Sequence, residues 1–284
     1  MADQNPDDLK MKHEQKLAWD DTADGWKQWW PTLERAAQRV NDRLVELSGA
    51  RAGHRVLDIA TGSGEPALTA ARVVGPSGRV VAVDMSAGML KIARERIEAA
   101  GLRNVDLVES DAESLKLDAN SFDAVLCRWG LMFMPDVDTL LQKLHRALRA
   151  DGRIATAVWS SADKVPICSL ARDAIRQITG VTPPPNAPDP LKLADPSILE
   201  RALSGACFRD VSIERITVTF EFASADAFAD FRSAIGGTRA ALAARTVETR
   251  AQLRDAMVTS ARAYAGADGV VRLSNETICF AARA

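Results

Sequence analysis

The stretch VLDIATGSGEPA from Val56 to Ala67, followed by VVAVD ending at Asp84, constrains this chain more than any other feature. Val56–Ile59 is a short apolar run broken only by Asp58, which predicts a strand buried on both faces. Gly62 and Gly64 give a tight turn, and Pro66 suits the first position of the helix that follows. Asp84 closes a second buried strand twenty residues beyond Gly64. Strand, glycine turn, helix and a second strand ending in a carboxylate are what an adenosine-containing ligand needs. The backbone can approach the ligand at the glycines, and the acid can accept hydrogen bonds from both ribose hydroxyls.

Gly62-x-Gly64-x-x-Ala67 also fits the dinucleotide pattern, so the neighbouring residues must discriminate. A pyrophosphate takes bonds from free N–H groups at a helix start. Pro66 removes one such donor, and Glu65 would set a carboxylate beside the phosphates. S-adenosylmethionine has no phosphate, and its ammonium and sulfonium both favour nearby carboxylates. Asp58, just before the turn, is placed to steer such a ligand directly or through water. The alternative for a carboxylate inside a buried strand is bonding to nearby backbone N–H groups, because it is costly there unless paired. The residues favour S-adenosylmethionine.

From Val56 to Ser160 the motifs resemble a class I S-adenosylmethionine-dependent methyltransferase of the ubiquinone/menaquinone-biosynthesis-like (type 11) group. DIATGSGE resembles the first motif of that group, with Ala60 where many methyltransferases have Gly. VVAVDMSAGMLKIARER resembles the second, VESDAESL the third and SFDAVLCRWGLMF the fourth, while HRALRADGRI resembles the approach to the fifth strand. The resemblance implies a cofactor site made from Asp58, Ala60, Thr61, Gly62, Ser63, Gly64, Asp84, Met85, Met89, Asp111, Ala112, Cys127 and Trp129. Asp111 and Ala112 would contact adenine, and the segment from Cys127 to Gly130 would face the methionine portion. Many relatives carry a histidine shortly after the fourth strand; Met132 and Phe133 stand there instead, which argues against a histidine base.

Composition excludes several other classes. Hydrophobic residues make up 47% of the 284, enough for a sizeable core, and the net charge of −2 gives no basic footprint for nucleic acid. No apolar run approaches the length of a membrane span, and MADQNPDDLKMK has no apolar core of a secretion signal. The four cysteines and three histidines are scattered, so neither a disulfide framework nor a metal site is expected. A cytoplasmic protein with a small-molecule acceptor is the expectation, and a homodimer is compatible with it.

Alternating strands and helices predict an α/β, Rossmann-like, doubly wound fold: a mainly parallel seven-stranded sheet with an antiparallel last strand and helical lid segments. Strands are expected at Arg55–Ala60, Arg79–Asp84, Val105–Glu109, Phe122–Cys127, Arg153–Trp159, Val211–Phe222 and Val270–Ala281. Helices are expected at Pro66–Val74, Ala87–Ala100, Thr139–Leu148, Val165–Ile178 and Pro196–Ser204. Ser86 should cap one helix, with Gly101 and Gly152 ending two others. Residues 1–12 should be frayed, 13–47 helical with breaks near Gly25 and at Pro31, and TPPPNAPDP irregular. One domain, 1–284, accounts for the whole: an N-terminal helical lid (1–50), a cofactor-binding core (51–160), and inserts at 161–195 and 223–268 that cap the substrate, the second broken at Gly236-Gly237.

No catalytic residue is fixed by sequence. Arg128 and Trp129 are the candidates, Arg128 either orienting a substrate or pairing with a structural acid. Trp19, Trp26, Arg128, Met132 and Phe133 are the expected substrate pocket. The tryptophans either line the lid or clamp the helices. His145 and Tyr264 are read as packing residues and His54 as solvent-facing, and His13 would reach the site only if its segment folded over it; none of the histidines is assigned to catalysis. The expected activity is methyl transfer to a small apolar or aromatic metabolite. A nicotinamide-dependent oxidoreductase and a non-catalytic S-adenosylmethionine-binding regulator are the rivals.

Overall fold

The computed structural model describes residues 6–182 and 187–284. Seven strands form one sheet: β1 (Arg55–Ile59), β2 (Arg79–Asp84), β3 (Val105–Glu109), β4 (Phe122–Arg128), β5 (Leu148–Trp159), β6 (Arg209–Phe222) and β7 (Val271–Arg283). Their order is β3-β2-β1-β4-β5-β7-β6, with β1–β4 and β4–β5 parallel and β7 antiparallel to both its neighbours. The sheet and its reversed last strand are as expected. Val56, Leu57, Val80, Val83, Val125, Leu126 and Ile154 have no exposure, which explains why the central strands read as continuous apolar runs.

Helices α2 (Ala67–Val74) and α3 (Ala87–Ala99) carry the chain from β1 outward to β3, and α4 (Val137–Ala147) carries it the other way, from β4 to β5. Right-handed crossovers therefore put α2 and α3 on one face and α4 on the other. The direction reverses between β1 and β4, and the carboxyl ends of those strands flank the crevice where ligands of such sheets bind.

The largest departure from expectation is α1 (Pro6–Leu47), one helix of 42 residues without a break at Gly25 or Pro31. Gly25 is there because the carbonyl of Ala234, at the end of α7 (Ala225–Ala234), packs so closely that no Cβ would fit. Of the segment expected to fray, residues 6–12 lie within α1, and 1–5 lie outside the described residues, as do 183–186 of the proline-rich stretch. Gly152 does not end a helix. α4 stops at Ala147, and Gly152 lies in β5, where a Cβ would meet the carbonyls of Arg149 and Asp123 at 2.9 and 3.1 Å. Ser86 and Gly101 do what was expected: Ser86 Oγ accepts from Met89 N at 3.1 Å, and Gly101 follows α3 at φ +67°. Pro66 precedes α2 by one residue instead of opening it.

Beyond β5 lie α5 (Pro166–Thr179) and α6 (Pro196–Gly205), and between β6 and β7 lie α7, α8 (Gly236–Ala243) and α9 (Val247–Arg262). The break between α7 and α8 falls at Ile235, beside the two glycines, and a second occurs at residues 244–246. Phe222, Phe228 and Phe231 seal this insert onto β6 and are buried to within 1%.

Candidate functional site

The turn after β1 is built from left-handed backbone. Ala60, Gly62 and Gly64 take φ of +54°, +55° and +102°. At Gly64 a Cβ would lie 2.5 Å from Leu68 Cδ1 and 3.3 Å from Ala93 Cβ, so only glycine lets α2 and α3 close on the turn. Ala60 pays the strain of φ > 0 that glycine would avoid, of about 1 kcal/mol. Asp84, at the end of β2, holds the turn from the other side: Oδ2 accepts from Gly62 N at 2.8 Å and Oδ1 from Ser86 N at 2.9 Å.

Asp58 is fully buried. Its Oδ2 accepts from Ala67 N at 3.1 Å, while its Oδ1 and the Thr61 hydroxyl, which faces the carboxyl and favours its ionised form, have no other partner among the described residues. Burial pushes the Asp58 carboxyl up to about 7. Burial likewise raises Glu65, with repulsion from Glu34 adding to it. Glu65 Oε2 accepts from the backbone and hydroxyl of Thr69, and Arg96 lies 3.5 Å from Oε1 while donating to the Ser63 carbonyl at 2.6 Å. The guanidinium of Arg96 also lies over the Trp30 ring at 4.4 Å.

At the end of β4, Arg128 is buried and already engaged. It donates to Glu34 through both terminal nitrogens and to Asn41 Oδ1 at 2.7 Å, tying β4 to α1. Of the two readings for Arg128, this geometry fits the structural acid. Trp129, at φ +54°, stacks on Trp159 with centroids 4.2 Å apart and donates to Thr277 Oγ1 at 2.9 Å. Cys127 has no exposure, and burial pushes its thiol up to about 12, so it is no nucleophile. Met132 is buried beneath the turn that follows, and the Phe133 ring meets Trp19 edge-on at 5.4 Å.

The first half of α1 lies across these strand ends. Lys12 Nζ bonds Asp111 Oδ2 at 2.8 Å and Glu113 at 2.5 Å. Lys16 reaches the Met85 carbonyl at 2.8 Å and Glu109, and Asp20 accepts from Ser86 Oγ and Gly88 N. Lys12, His13, Lys16, Met85, Asp111 and Ser114 border a cleft of about 290 Å³. His13 thus reaches this cleft, because its helix folds over the strand ends.

The sequence-expected residues Asp58, Ala60–Gly64, Asp84, Met85, Asp111, Ala112, Cys127 and Trp129 converge at the carboxyl ends of β1 to β4. Met89 sits apart, packed with Ala23, Ile92 and Trp26, although its methyl borders Gly62. Sequence reasoning missed Lys12, Lys16, Asp20, Glu34, Asn41 and Arg96. The first three recur every fourth residue and so share one face of α1, a signal visible without structure. Among the described residues no cluster of His, Cys, Asp or Glu could hold a metal ion, and no helix is long and apolar enough to cross a membrane.

Comparison with known proteins adds a family. A model described as the ubiE/COQ5 methyltransferase family matches residues 36–177, half of the chain. The chain is 41% identical over 117 residues to a ubiquinone/menaquinone biosynthesis C-methyltransferase of Pseudomonas putida, a match covering 41% of this chain and 46% of that protein. The chain therefore spans about half the length of the curated relatives it matches. Among solved structures, the YcgJ protein of Bacillus subtilis aligns with a TM-score of 0.58 at 18% identity, covering 87% of this chain and 98% of that one. Phosphoethanolamine N-methyltransferase 2 of Haemonchus contortus, solved with S-adenosylhomocysteine, aligns with a TM-score of 0.55 at 20% identity, covering 89% of this chain and 56% of that one. At such identities these two alignments establish the shared fold.

Proposed function

The chain belongs to the ubiE/COQ5 methyltransferase family, and from that premise we propose that it transfers a methyl group from S-adenosylmethionine to a small acceptor with a large apolar or aromatic part. The observation that carries this reading is Asp58, a buried carboxylate beside a glycine turn, one of whose oxygens has no close partner except the Thr61 hydroxyl. A cationic ligand without phosphate answers that oxygen. A dinucleotide does not suit the same turn. The Ala67 N–H is already given to Asp58, Pro66 has none to give, and Glu65 would face the phosphates. The family gives the oxidoreductase and regulator readings no support.

The residues present fit the cofactor. Each oxygen of Asp84 accepts one N–H and keeps a lone pair for a ribose hydroxyl. Asp58 and Thr61 would face the methionine end, and Asp111 the adenine. S-adenosylmethionine, when bound, supplies a methyl group activated by its sulfonium. The chain's part is to hold it, aim the acceptor and exclude water, and orientation of this kind can be worth about 7–11 kcal/mol. The first half of α1 and the helices within 161–195 and 223–268 act as the cap in this reading, with Trp19, Trp26, Met132 and Phe133 as the apolar wall. Trp129 would back the methionine end. Arg128 would position by fixing α1, without touching substrate.

Calorimetry with S-adenosylhomocysteine and with NAD tests the assignment. S-adenosylhomocysteine should bind, and Asp84→Ala should raise its Kd about 10- to 100-fold, the worth of one hydrogen bond to a charged group. Tight NAD binding with no heat from S-adenosylhomocysteine would sink it.

A further inference from the structure

Three donors on the α1–α7 side of the cap are buried without any partner: Nε1 of Trp26, Nε1 of Trp29 and Nε of Arg232. Such donors are rare, because each forfeits its hydrogen bond to water. Trp29 and Arg232 share the Phe231 ring. Trp26 and Trp29 are one helical turn apart on α1, and the Trp29 ring meets that of Phe231 at 5.7 Å, next in sequence to Arg232. The Arg232 guanidinium lies beside the same Phe231 ring, also at 5.7 Å, and makes a single hydrogen bond, to Thr238 Oγ1 of α8 at 3.0 Å.

Charge makes the case sharper. The other two guanidiniums of the interior have carboxylates: Arg96 has Glu65, and Arg128 has Glu34. Among the described residues Arg232 has none. A guanidinium stays protonated even when desolvated, so it needs an anion from somewhere. Burial disfavours its charge, and only the Cys168 thiol opposes this.

We propose that this junction binds an oxyanion, a carboxylate or phosphate, carried on the apolar body of the methyl acceptor. Arg232 supplies the charge, and Trp29, with Trp26 one turn away, supplies neutral donors. Phe222 and Phe231 offer the apolar contact. The location suits an acceptor: Trp26 packs on Met89, whose methyl borders Gly62, so the Met89 side chain alone lies between the Trp26 ring and the glycine turn. The identification of the ligand as acceptor rests on the methyl-transfer reading; the anion site itself does not.

The test is calorimetry on the full chain with benzoate, phenyl phosphate and the neutral methyl benzoate, in the presence and absence of S-adenosylhomocysteine. At least one anion should bind about tenfold or more tightly than methyl benzoate, and Arg232→Met should weaken it on the order of 10- to 100-fold. Benzoate alone would assign a carboxylate, phenyl phosphate alone a phosphate. Trp29→Phe keeps the ring without the donor and should weaken the same anion while leaving S-adenosylhomocysteine unaffected. Because no carboxylate among the described residues pairs with Arg232, Arg232→Met should keep or exceed the parent Tm. A fall in Tm, an unchanged anion affinity in Arg232→Met, or no preference for anions in the parent would each overturn the proposal. S-adenosylhomocysteine binding without anion preference would sink this site alone. Anion binding without S-adenosylhomocysteine binding would sink the methyl-transfer reading alone.

Discussion

Arg128 at the end of β4 and Glu34 in the middle of α1 form a buried two-point ion pair, 2.8 Å and 3.0 Å between nitrogen and oxygen, with Asn41 Oδ1 accepting from the same guanidinium. It is a largely buried polar tie between the sheet and the helix that covers its site. Burial alone would raise the Glu34 carboxyl, but the Arg128 charge and its hydrogen bonds outweigh this and hold it below the usual range. Glu34→Ala should therefore destabilise the fold by about 3–5 kcal/mol in denaturant titration, since it leaves a buried guanidinium unpaired. Replacing both partners with Met should cost much less. The contribution of Glu34 is full above the ordinary carboxylate range and is lost as pH falls through its depressed value, so Glu34→Gln should flatten the acid limb of the stability curve.

Ala60 and Gly130 compete for one space. A Cβ on Gly130 would lie 2.7 Å from Ala60 Cβ and 2.8 Å from Cys127 Sγ. Gly130→Ala should cost about 1–3 kcal/mol by overpacking. Ala60→Gly removes both the opposing methyl and the strain of φ +54°, so the double variant should recover part of that loss. Additive effects in thermal denaturation would contradict the shared-space account.

Much of this was legible in the sequence because it depends on local pattern. The strands from β1 to β4 declare themselves as apolar runs, and Gly62, Gly64 and Asp84 are fixed by a turn only a few side chains can make. What sequence could not give depends on partners distant along the chain. Pro31 and Gly25 read as breaks in α1 on propensity alone, yet packing against the sheet and α7 holds the helix through both. Gly152 has the look of a helix stop, and its role is to let β5 pass Asp123. Arg128 could not be assigned at all until Glu34, ninety-four positions away, was seen beside it.

Asp58 links cofactor affinity to pH. Burial holds its carboxyl protonated up to about 7, so the folded state keeps a proton that the unfolded state has lost between the ordinary carboxylate range and 7. The ligand-free fold therefore loses stability as pH rises through that window, and Asp58→Asn should remove the loss. A cationic ligand binds the ionised form. Between pH 6 and 8 the affinity for S-adenosylmethionine should rise about tenfold, the gain expected when binding expels one proton from a group titrating at 7. Asp58→Asn should bind more weakly and show a flat profile. An affinity independent of pH in the parent would mean that Asp58 does not meet the ligand.

Lys12 is expected to govern how fast ligand leaves the site. Its ammonium, largely buried, bonds Asp111 at 2.8 Å and Glu113 at 2.5 Å, while Lys16 holds the Met85 carbonyl and Glu109 one turn along the same face of α1. Asp111 is the carboxylate that the family resemblance assigns to adenine, so in the proposed reading Lys12 and the ligand would share a partner. If ligand enters and leaves under this half of α1, the two ammonium contacts must break for it to pass. Lys12→Met should speed release of S-adenosylhomocysteine about three- to tenfold in stopped-flow displacement, on the scale of one partly buried ion pair of about 1 kcal/mol. Lys12→Met with Lys16→Met should speed it further. Higher salt should accelerate release from the parent more than from the double variant, because the ion pairs at the rim are screened. The helix as a whole should stay in place, since Val40 and Leu44 of its second half are fully buried against the sheet. If both variants released ligand at the parent rate while remaining folded, the N-terminal half of α1 would be a static wall, and exchange would have to run through the α5–α9 side of the cap.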